Sequence, residues 1–174
     1  MKENNVLSMM FAGFLLILAV LITPALNYSL KADDTSQGII DNAVHTFVDD
    51  ARKSGKITAT DYEQMMSSIN IAQPLCDIHI TYGKEKCITE DNGTNIYTYH
   101  DEYGETQILD VIYTDTGDNE DFMMKKGDYL HVTVQNTTPS FGMKLYSMFI
   151  PKAATAKTIT TTYGGYVLQN GYDD

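Results

Sequence analysis

Histidine and cysteine are the residue types in this sequence best suited to metal binding or nucleophilic chemistry. The histidines are His45, His79, His100 and His131. No two of them stand four residues apart and no His-Glu-x-x-His motif occurs, so the spacing that places two imidazoles on one helix face is absent. A metal site would need His79, His100 and His131 to converge on one sheet face. We expect each histidine to be structural or exposed, and we assign no metal.

Motifs for covalent catalysis and for phosphate binding are also absent from the sequence. There is no Gly-x-Ser-x-Gly elbow, no Walker loop and no dinucleotide-binding loop. The segment from Asp115 to Asp121 offers oxygen donors of the kind calcium prefers, but its spacing departs from the EF-hand loop, and we interpret it as an acidic turn. We therefore predict a protein that is not an enzyme, with no catalytic residue and no cofactor.

The two cysteines, Cys76 and Cys87, stand eleven positions apart on either side of DIHITYGKEK. That stretch has the composition of a strand followed by a turn, which would bring the two thiols together. In an exported protein, a disulfide that closes so short a loop would add roughly 2 to 3 kcal/mol of stability. We predict a Cys76–Cys87 disulfide. Two reduced thiols are the alternative, while a metal pair lacks the four-ligand spacing of a zinc site.

The most prominent element is an uncharged apolar run, VLSMMFAGFLLILAVLITPAL, at positions 6 to 26. As a helix it would be about 31 Å long, close to the thickness of the hydrocarbon core of a bilayer. The run exceeds the roughly 7 to 15 apolar residues of a signal peptide, although Thr23-Pro24-Ala25 resembles the small-residue pattern before a cleavage site. We predict a membrane anchor, with a cleaved signal and a buried soluble helix as the alternatives.

The net charge of −11 lies entirely after this run, because Lys2 and Glu3 before it cancel. Binding to nucleic acid needs clustered Lys and Arg, so the acidic balance argues against nucleic acid as a partner. The few Lys residues that flank the run give only a weak bias for topology. An acidic domain after one N-terminal span is most simply placed outside the cytoplasm. We predict a single-pass membrane protein with an extracytoplasmic C-terminal domain.

A second helix is predicted to begin at Asp34, which has Gln37 three residues later as in a capping box. Its apolar residues recur at helical spacing at Ile40, Val44, Phe47 and Ala51. Gly55 follows as a C-terminal stop. The first two helices would form one long rod that is interrupted around residues 27 to 33.

A third helix is predicted to begin with the capping box Thr60 and Glu63. Tyr62, Met65 and Ile69 give it an apolar face, and Met66 lies beside them. The helix should end before Pro74, which cannot continue it.

From Cys76 onward the spacing of apolar residues changes from the helical period to the alternation of strands. Short segments rich in Ile, Val, Thr and Tyr are predicted as strands at 77–82, 95–100, 107–113 and 129–135. Asn92-Gly93 signals a hairpin between two of them. The segment 143–150 fits either a strand or a short helix, and the closing segment is predicted as a strand with a bulge or bend at Gly164-Gly165.

These elements predict an α+β fold, with an N-terminal transmembrane helix and helical stalk followed by an antiparallel sheet packed on a helix. We divide the chain into a transmembrane anchor (1–27), a helical stalk (28–56) and an extracytoplasmic α+β domain (57–174).

Two stretches of the sequence, FVDDARKSGKITATDYEQMMSSI and FMMKKGDYLHVTVQ, follow a short polar start and one apolar helix. This order resembles the TadE-like pseudopilins and related pilin-like envelope proteins of bacterial secretion and conjugation loci. The resemblance implies a membrane-tethered, non-enzymatic subunit that assembles through its N-terminal helix. The sequence departs from the family at the processing site, because Gly13 lies inside the apolar run and Leu18 stands where a Glu is usual.

Small residues in the apolar run, Ser8, Ala12 and Gly13, would let neighbouring helices approach closely in lipid. The predicted partners are therefore membrane lipid and either further copies of this chain or other pilin-like subunits. The alternative function is a secreted acidic binding or adhesion module released by signal peptidase after Ala25. Such a module would adhere to a surface or ligand through a tyrosine-rich sheet, because the chain contains twelve tyrosines.

Overall fold

The computed structural model describes residues 3–89, 93–114, 120–139, 143–144, 147–148 and 159–172. Its helices are α1 (Glu3–Ser54), α2 (Ala59–Ala72) and α3 (Glu105–Ile112). Its strands are β1 (Lys56–Ile57), β2 (Cys76–Thr89), β3 (Asn95–Gly104), β4 (Phe122–Met123), β5 (Tyr129–Asn136) and β6 (Thr160–Tyr166).

Helix α1 contains both predicted N-terminal helices, which confirms that they form one long rod. The interruption expected at residues 27 to 33 is wrong, and Asp34 lies inside the helix rather than at its N-terminus. No glycine or proline occurs between Pro24 and Gly38, so the backbone has no residue there that favours ending a helix. Pro24 itself lies within α1. Gln37, the expected partner of Asp34, instead donates from Nε2 to the Asp41 carboxylate at 2.7 Å.

The apolar stripe predicted for the second helix is confirmed. Ile40, Val44, Phe47, Val48 and Ala51 are all buried in the main hydrophobic core. The helical stop at Gly55 is also confirmed, because its φ is +72° and its N–H donates to the carbonyl of Ala51 at 2.9 Å. A positive φ is available to glycine without a steric penalty, which explains why α1 ends here.

Helix α2 has its N-cap two residues before the predicted one. The capping box at Thr60 and Glu63 is wrong: Thr58 is the N-cap, and its hydroxyl oxygen accepts from the Asp61 N–H at 3.1 Å. Tyr62, Met65 and Ile69 are buried as expected. The helix ends at Ala72, before Pro74.

Four strands form an antiparallel sheet in the order β3-β2-β5-β6, and β1 pairs with β4 in a separate two-stranded sheet. The predicted strands at 77–82, 95–100 and 129–135 lie in β2, β3 and β5 and are confirmed. Consecutive strands β2 and β3 pair antiparallel as a hairpin requires. The turn residue Asn92 lies outside the described residues.

The predicted strand at 107–113 is wrong, because this segment lies almost entirely within helix α3. Its apolar residues do not alternate strictly, and Ile108 and Ile112, which stand four apart, are both fully buried. The Gln107 side chain also accepts from the Gly104 N–H at 2.8 Å, which caps the helix. Burial at the four-residue spacing and this cap therefore favour the helix.

Strand β6 runs without the bulge predicted at Gly164-Gly165, since its pairing with β5 keeps one regular register. The glycines are needed for close contact instead. A Cβ added at Gly164 would lie 2.7 Å from the Leu130 carbonyl oxygen, and one at Gly165 would lie 2.6 Å from Cζ of Arg52. The absence of a side chain thus lets the Arg52 guanidinium lie against the strand.

The fold is mixed, with helices, an antiparallel sheet and a long apolar N-terminal helix, in agreement with the predicted α+β class. The chain forms two compact units. One consists of Met1–Thr35 with Pro139–Lys157, and the other, called the head here, of Ser36–Thr138 with Thr158–Asp174. The head therefore begins inside the predicted stalk. Half of the ambiguous segment 143–150, namely 145–146 and 149–150, lies outside the described residues.

Candidate functional site

The N-terminal part of α1 exposes large apolar side chains in every direction around the helix. Its most apolar window has a mean hydropathy of 2.5 and none of its residues is buried. The most exposed side chains include Met9, Met10, Leu16, Leu21 and Val6. A soluble core helix would bury such a surface, whereas a membrane span leaves it to lipid. This helix is thus long and apolar enough to cross a membrane, a property that a signal sequence shares.

The three residues predicted to mediate helix packing all lie in this exposed part of α1. Ser8 and Ala12 stand four positions apart, so they share one side of the helix. Gly13 is displaced by about 100° from Ala12 around the axis, and it does not belong to that side. A Cβ added at Gly13 would meet no atom within 4 Å. The structure therefore brings together Ser8 and Ala12 but not Gly13.

The predicted Cys76–Cys87 disulfide is wrong. Cys76 is a free thiol, and both cysteines belong to the single strand β2, with no turn between them. A strand rises about 3.3 Å per residue, so eleven positions separate the two Cα atoms by about 36 Å. Bridged cysteines have Cα atoms less than about 7 Å apart. Burial raises the pKa of the Cys76 thiol and Asp77 raises it further, which keeps the thiol protonated.

The histidines are distributed over four elements. His45 on α1 stacks on Tyr163 with ring centroids 3.7 Å apart, and His79 on β2 lies 4.0 Å from the Glu105 carboxylate. His131 on β5 contacts the Thr133 hydroxyl at 3.2 Å, and His100 lies exposed on β3. Across the described residues, no three His, Cys, Asp or Glu side chains are grouped so that they could hold a metal ion.

The head contains an open cavity of about 530 Å³ that the sequence did not indicate. Its aromatic floor is formed by Tyr82, Tyr103 and Phe122, with the Tyr82 and Phe122 rings edge to face at 5.4 Å. Lys84 stands at the rim, with Nζ 5.2 Å from the Tyr103 ring centroid and 2.8 Å from the Glu102 carboxylate. The cavity thus combines an apolar floor with charged side chains at its mouth.

The buried side chain of Asp128 also lines the cavity, and two donors hold its carboxylate. The Tyr82 hydroxyl donates to one oxygen, and the Glu85 N–H donates to the other at 3.1 Å. Tyr82 in turn accepts from the Lys125 N–H at 3.2 Å. Burial and then the Asp128 hydrogen bond raise the pKa of Tyr82, so its phenol stays neutral. These bonds attach strand β2 to the turn before β5, which is a structural role.

A second exposed feature is a group of three tyrosines from three strands of the sheet, which we call the tyrosine cluster. Tyr99 on β3, Tyr129 on β5 and Tyr166 on β6 have ring centroids 5.2 to 6.0 Å apart. Tyr166 is half exposed. Cross-strand register could not be read from the sequence, so the tyrosine count alone did not indicate which three rings meet.

No protein-family model, curated protein or solved structure matches this chain. The resemblance to TadE-like pseudopilins therefore stays a prediction based on the sequence alone.

Proposed function

We propose that this chain is a non-enzymatic, membrane-anchored subunit of the pilin-like type in a bacterial envelope. The fully exposed apolar window of α1 carries this proposal, because such a surface is stable only in lipid or against other apolar helices. The folded head follows it and holds nearly all of the acidic residues. The subunit assembles through the side of α1 that bears Ser8 and Ala12, with lipid and further copies as its partners.

A charge placed in the middle of the apolar window tests the anchor. Leu16 is 66% exposed, so Leu16→Lys leaves the packing of the head unchanged. Lysine at the centre of a span costs roughly 2.5 to 3.5 kcal/mol of insertion free energy. We expect Leu16→Lys to move the protein from the alkali-resistant membrane fraction to the soluble or aggregated fraction.

Tyr28→Lys is the matched control, because Tyr28 is 78% exposed but lies beyond the apolar run. This variant should remain in the membrane fraction. If wild-type protein were released from membranes by alkaline carbonate alone, the anchor would be disproved.

The tyrosine cluster favours a second candidate, a secreted binding module released after Ala25. Aromatic side chains exposed on a sheet are a common feature of adhesive surfaces. The N-terminus of the mature protein separates the two functions. A protein found in the medium and beginning at Leu26 would support the secreted module, whereas an intact N-terminus in the membrane supports the anchored subunit.

A further inference from the structure

We propose that the free edge of strand β6 is an assembly site that pairs with the β3 edge of a neighbouring copy of this chain. The sheet order β3-β2-β5-β6 leaves β6 and β3 as its two edges. An edge strand presents unpaired N–H and C=O groups, and it is a template for another strand unless it is protected. The inference rests on the proposed anchored function, since that function places copies side by side.

The hydrogen-bond pattern identifies which backbone groups of β6 are free. Asn136 N–H donates to the Ile159 carbonyl at 3.0 Å, and Val167 N–H donates to the Asp128 carbonyl at 2.8 Å. Hydrogen-bonded pairs alternate along an antiparallel ladder, so the N–H and C=O groups of Thr160, Thr162 and Gly164 point away from β5. Thr160 and Thr162 are also exposed to solvent.

Strand β6 lacks the features that usually protect an edge. Its sequence, TTTYGGY, has no charged residue and no proline, and its pairing contains no bulge. Arg52 covers only its end, where Nε donates to the Tyr166 carbonyl at 2.8 Å. Within the described part of the chain, the backbone edge from Thr160 to Gly164 has no hydrogen-bond partner.

Charge favours a copy of this chain that contacts β6 through its β3 strand. The chain carries a net charge of −11, but no Asp or Glu occurs between Tyr129 and Tyr172. Strand β3 carries Asp101 and Glu102, so a β3–β3 contact would bring like charges together. A contact between β6 and β3 places these acidic side chains against an uncharged strand.

Strand direction leads to the same pairing. Three successive antiparallel steps separate β3 from β6, so the two edges run in opposite directions. Two copies related by a translation within one membrane therefore meet with β6 of one antiparallel to β3 of the other. An antiparallel β6–β6 pair would instead relate two copies by a two-fold axis and would stop at a dimer. Head-to-tail contacts of the β6–β3 kind can repeat from copy to copy, and they form an open filament where the rotation between copies does not close a ring.

Cross-linking in native membranes tests this pairing. In full-length protein with Cys76→Ser and Cys87→Ser, one tagged copy carries Thr162→Cys on β6 and a differently tagged copy carries Thr98→Cys on β3. A flexible bis-maleimide should give mixed-tag dimers only when both variants are expressed together. Thr160→Lys on the edge should abolish these dimers. The matched change Thr133→Lys on the neighbouring central strand should leave them intact.

Two results would overturn the pairing. Cross-links of Thr162→Cys with itself would mean a β6–β6 contact, and an absence of dimers from every combination would mean that the edges do not meet. Alkaline extraction of the same membranes reports separately whether the anchor holds. A loss of β6–β3 pairing with an intact anchor therefore leaves the proposed function standing.

Discussion

At the scale of single residues, the contact between Tyr82 and Asp128 is the best-defined polar interaction in the head. Asp128 is only 4% exposed, and its carboxylate depends on Tyr82 and the Glu85 N–H for its hydrogen bonds. Removing a hydrogen-bond donor from a buried carboxylate costs more free energy than the hydrogen bond contributes, because the carboxylate cannot recover its contact with water.

Tyr82→Phe should therefore destabilise the head by roughly 1 to 3 kcal/mol, with little change in packing volume. Urea unfolding of the full chain in detergent, followed by circular dichroism, measures this difference. Tyr172→Phe is the control, because Tyr172 is 60% exposed and its hydroxyl only reaches the Met123 carbonyl at 3.5 Å. Equal stability of the two variants would contradict a structural role for the Tyr82 hydroxyl.

Ionisation of the Tyr62 phenol is expected to change the stability of the head at alkaline pH. Burial, followed by the nearby Glu105 carboxylate, raises the pKa of Tyr62 from 10.0 to about 12. The folded state thus holds the phenolic proton more tightly than the unfolded chain. This contribution to stability is complete below pH 10 and is lost as the pH rises toward 12.

We expect the urea midpoint of the wild type to fall more steeply between pH 10 and 12 than that of Tyr62→Phe, since the variant has no phenol to ionise. Identical slopes for the two proteins would show that ionisation of Tyr62 does not limit alkaline stability.

At the scale of elements, sequence periodicity predicted the stripe of α1 because Ile40, Val44 and Phe47 face one core. It failed at α3 because the segment was assigned to a strand on its content of Ile and Val, although Ile108, Leu109 and Ile112 have the spacing of one helix face. It failed at the start of α2 because Thr58 and Thr60 both precede a carboxylate by three residues. Local pattern cannot choose between two such caps.

Substitution of each threonine distinguishes these two caps. Thr58→Ala should destabilise the head by about 1 kcal/mol, because it removes the acceptor for the Asp61 N–H. Thr60→Ala should have almost no effect, because Thr60 is exposed within the first turn. Thermal unfolding of both variants measures the difference. A larger loss from Thr60→Ala would restore the cap expected from the sequence.

At the scale of the whole molecule, the apolar helix could be recognised from the sequence, because hydropathy is a local property of positions 6 to 26. The cavity and the tyrosine cluster could not be recognised, because Tyr82 meets Asp128 and Tyr99 meets Tyr166 only after the strands take their register. The expected disulfide failed for the same reason. Its assignment assumed a turn where the chain continues as one strand.

The continuity of β2 predicts that oxidation does not stabilise the protein. We expect Cys76 and Cys87 to react with a maleimide in the denatured, unreduced protein, giving an intact mass with two labels. The unfolding midpoint should be the same with and without a reducing agent. If the protein instead gave one intact mass without either label, and its unfolding midpoint fell on reduction, the two thiols would be bridged.

One hydrogen-bonded group at the edge of the core joins residues from opposite ends of the sequence. Gln37 donates to the Thr161 hydroxyl at 2.8 Å, and Thr161 donates to Asp41, across separations of 124 and 120 residues. Contacts so distant along the chain form late, because a long loop must close before they can be made. During biosynthesis, α1 must therefore wait for nearly the entire polypeptide to emerge before β6 can complete the sheet against it.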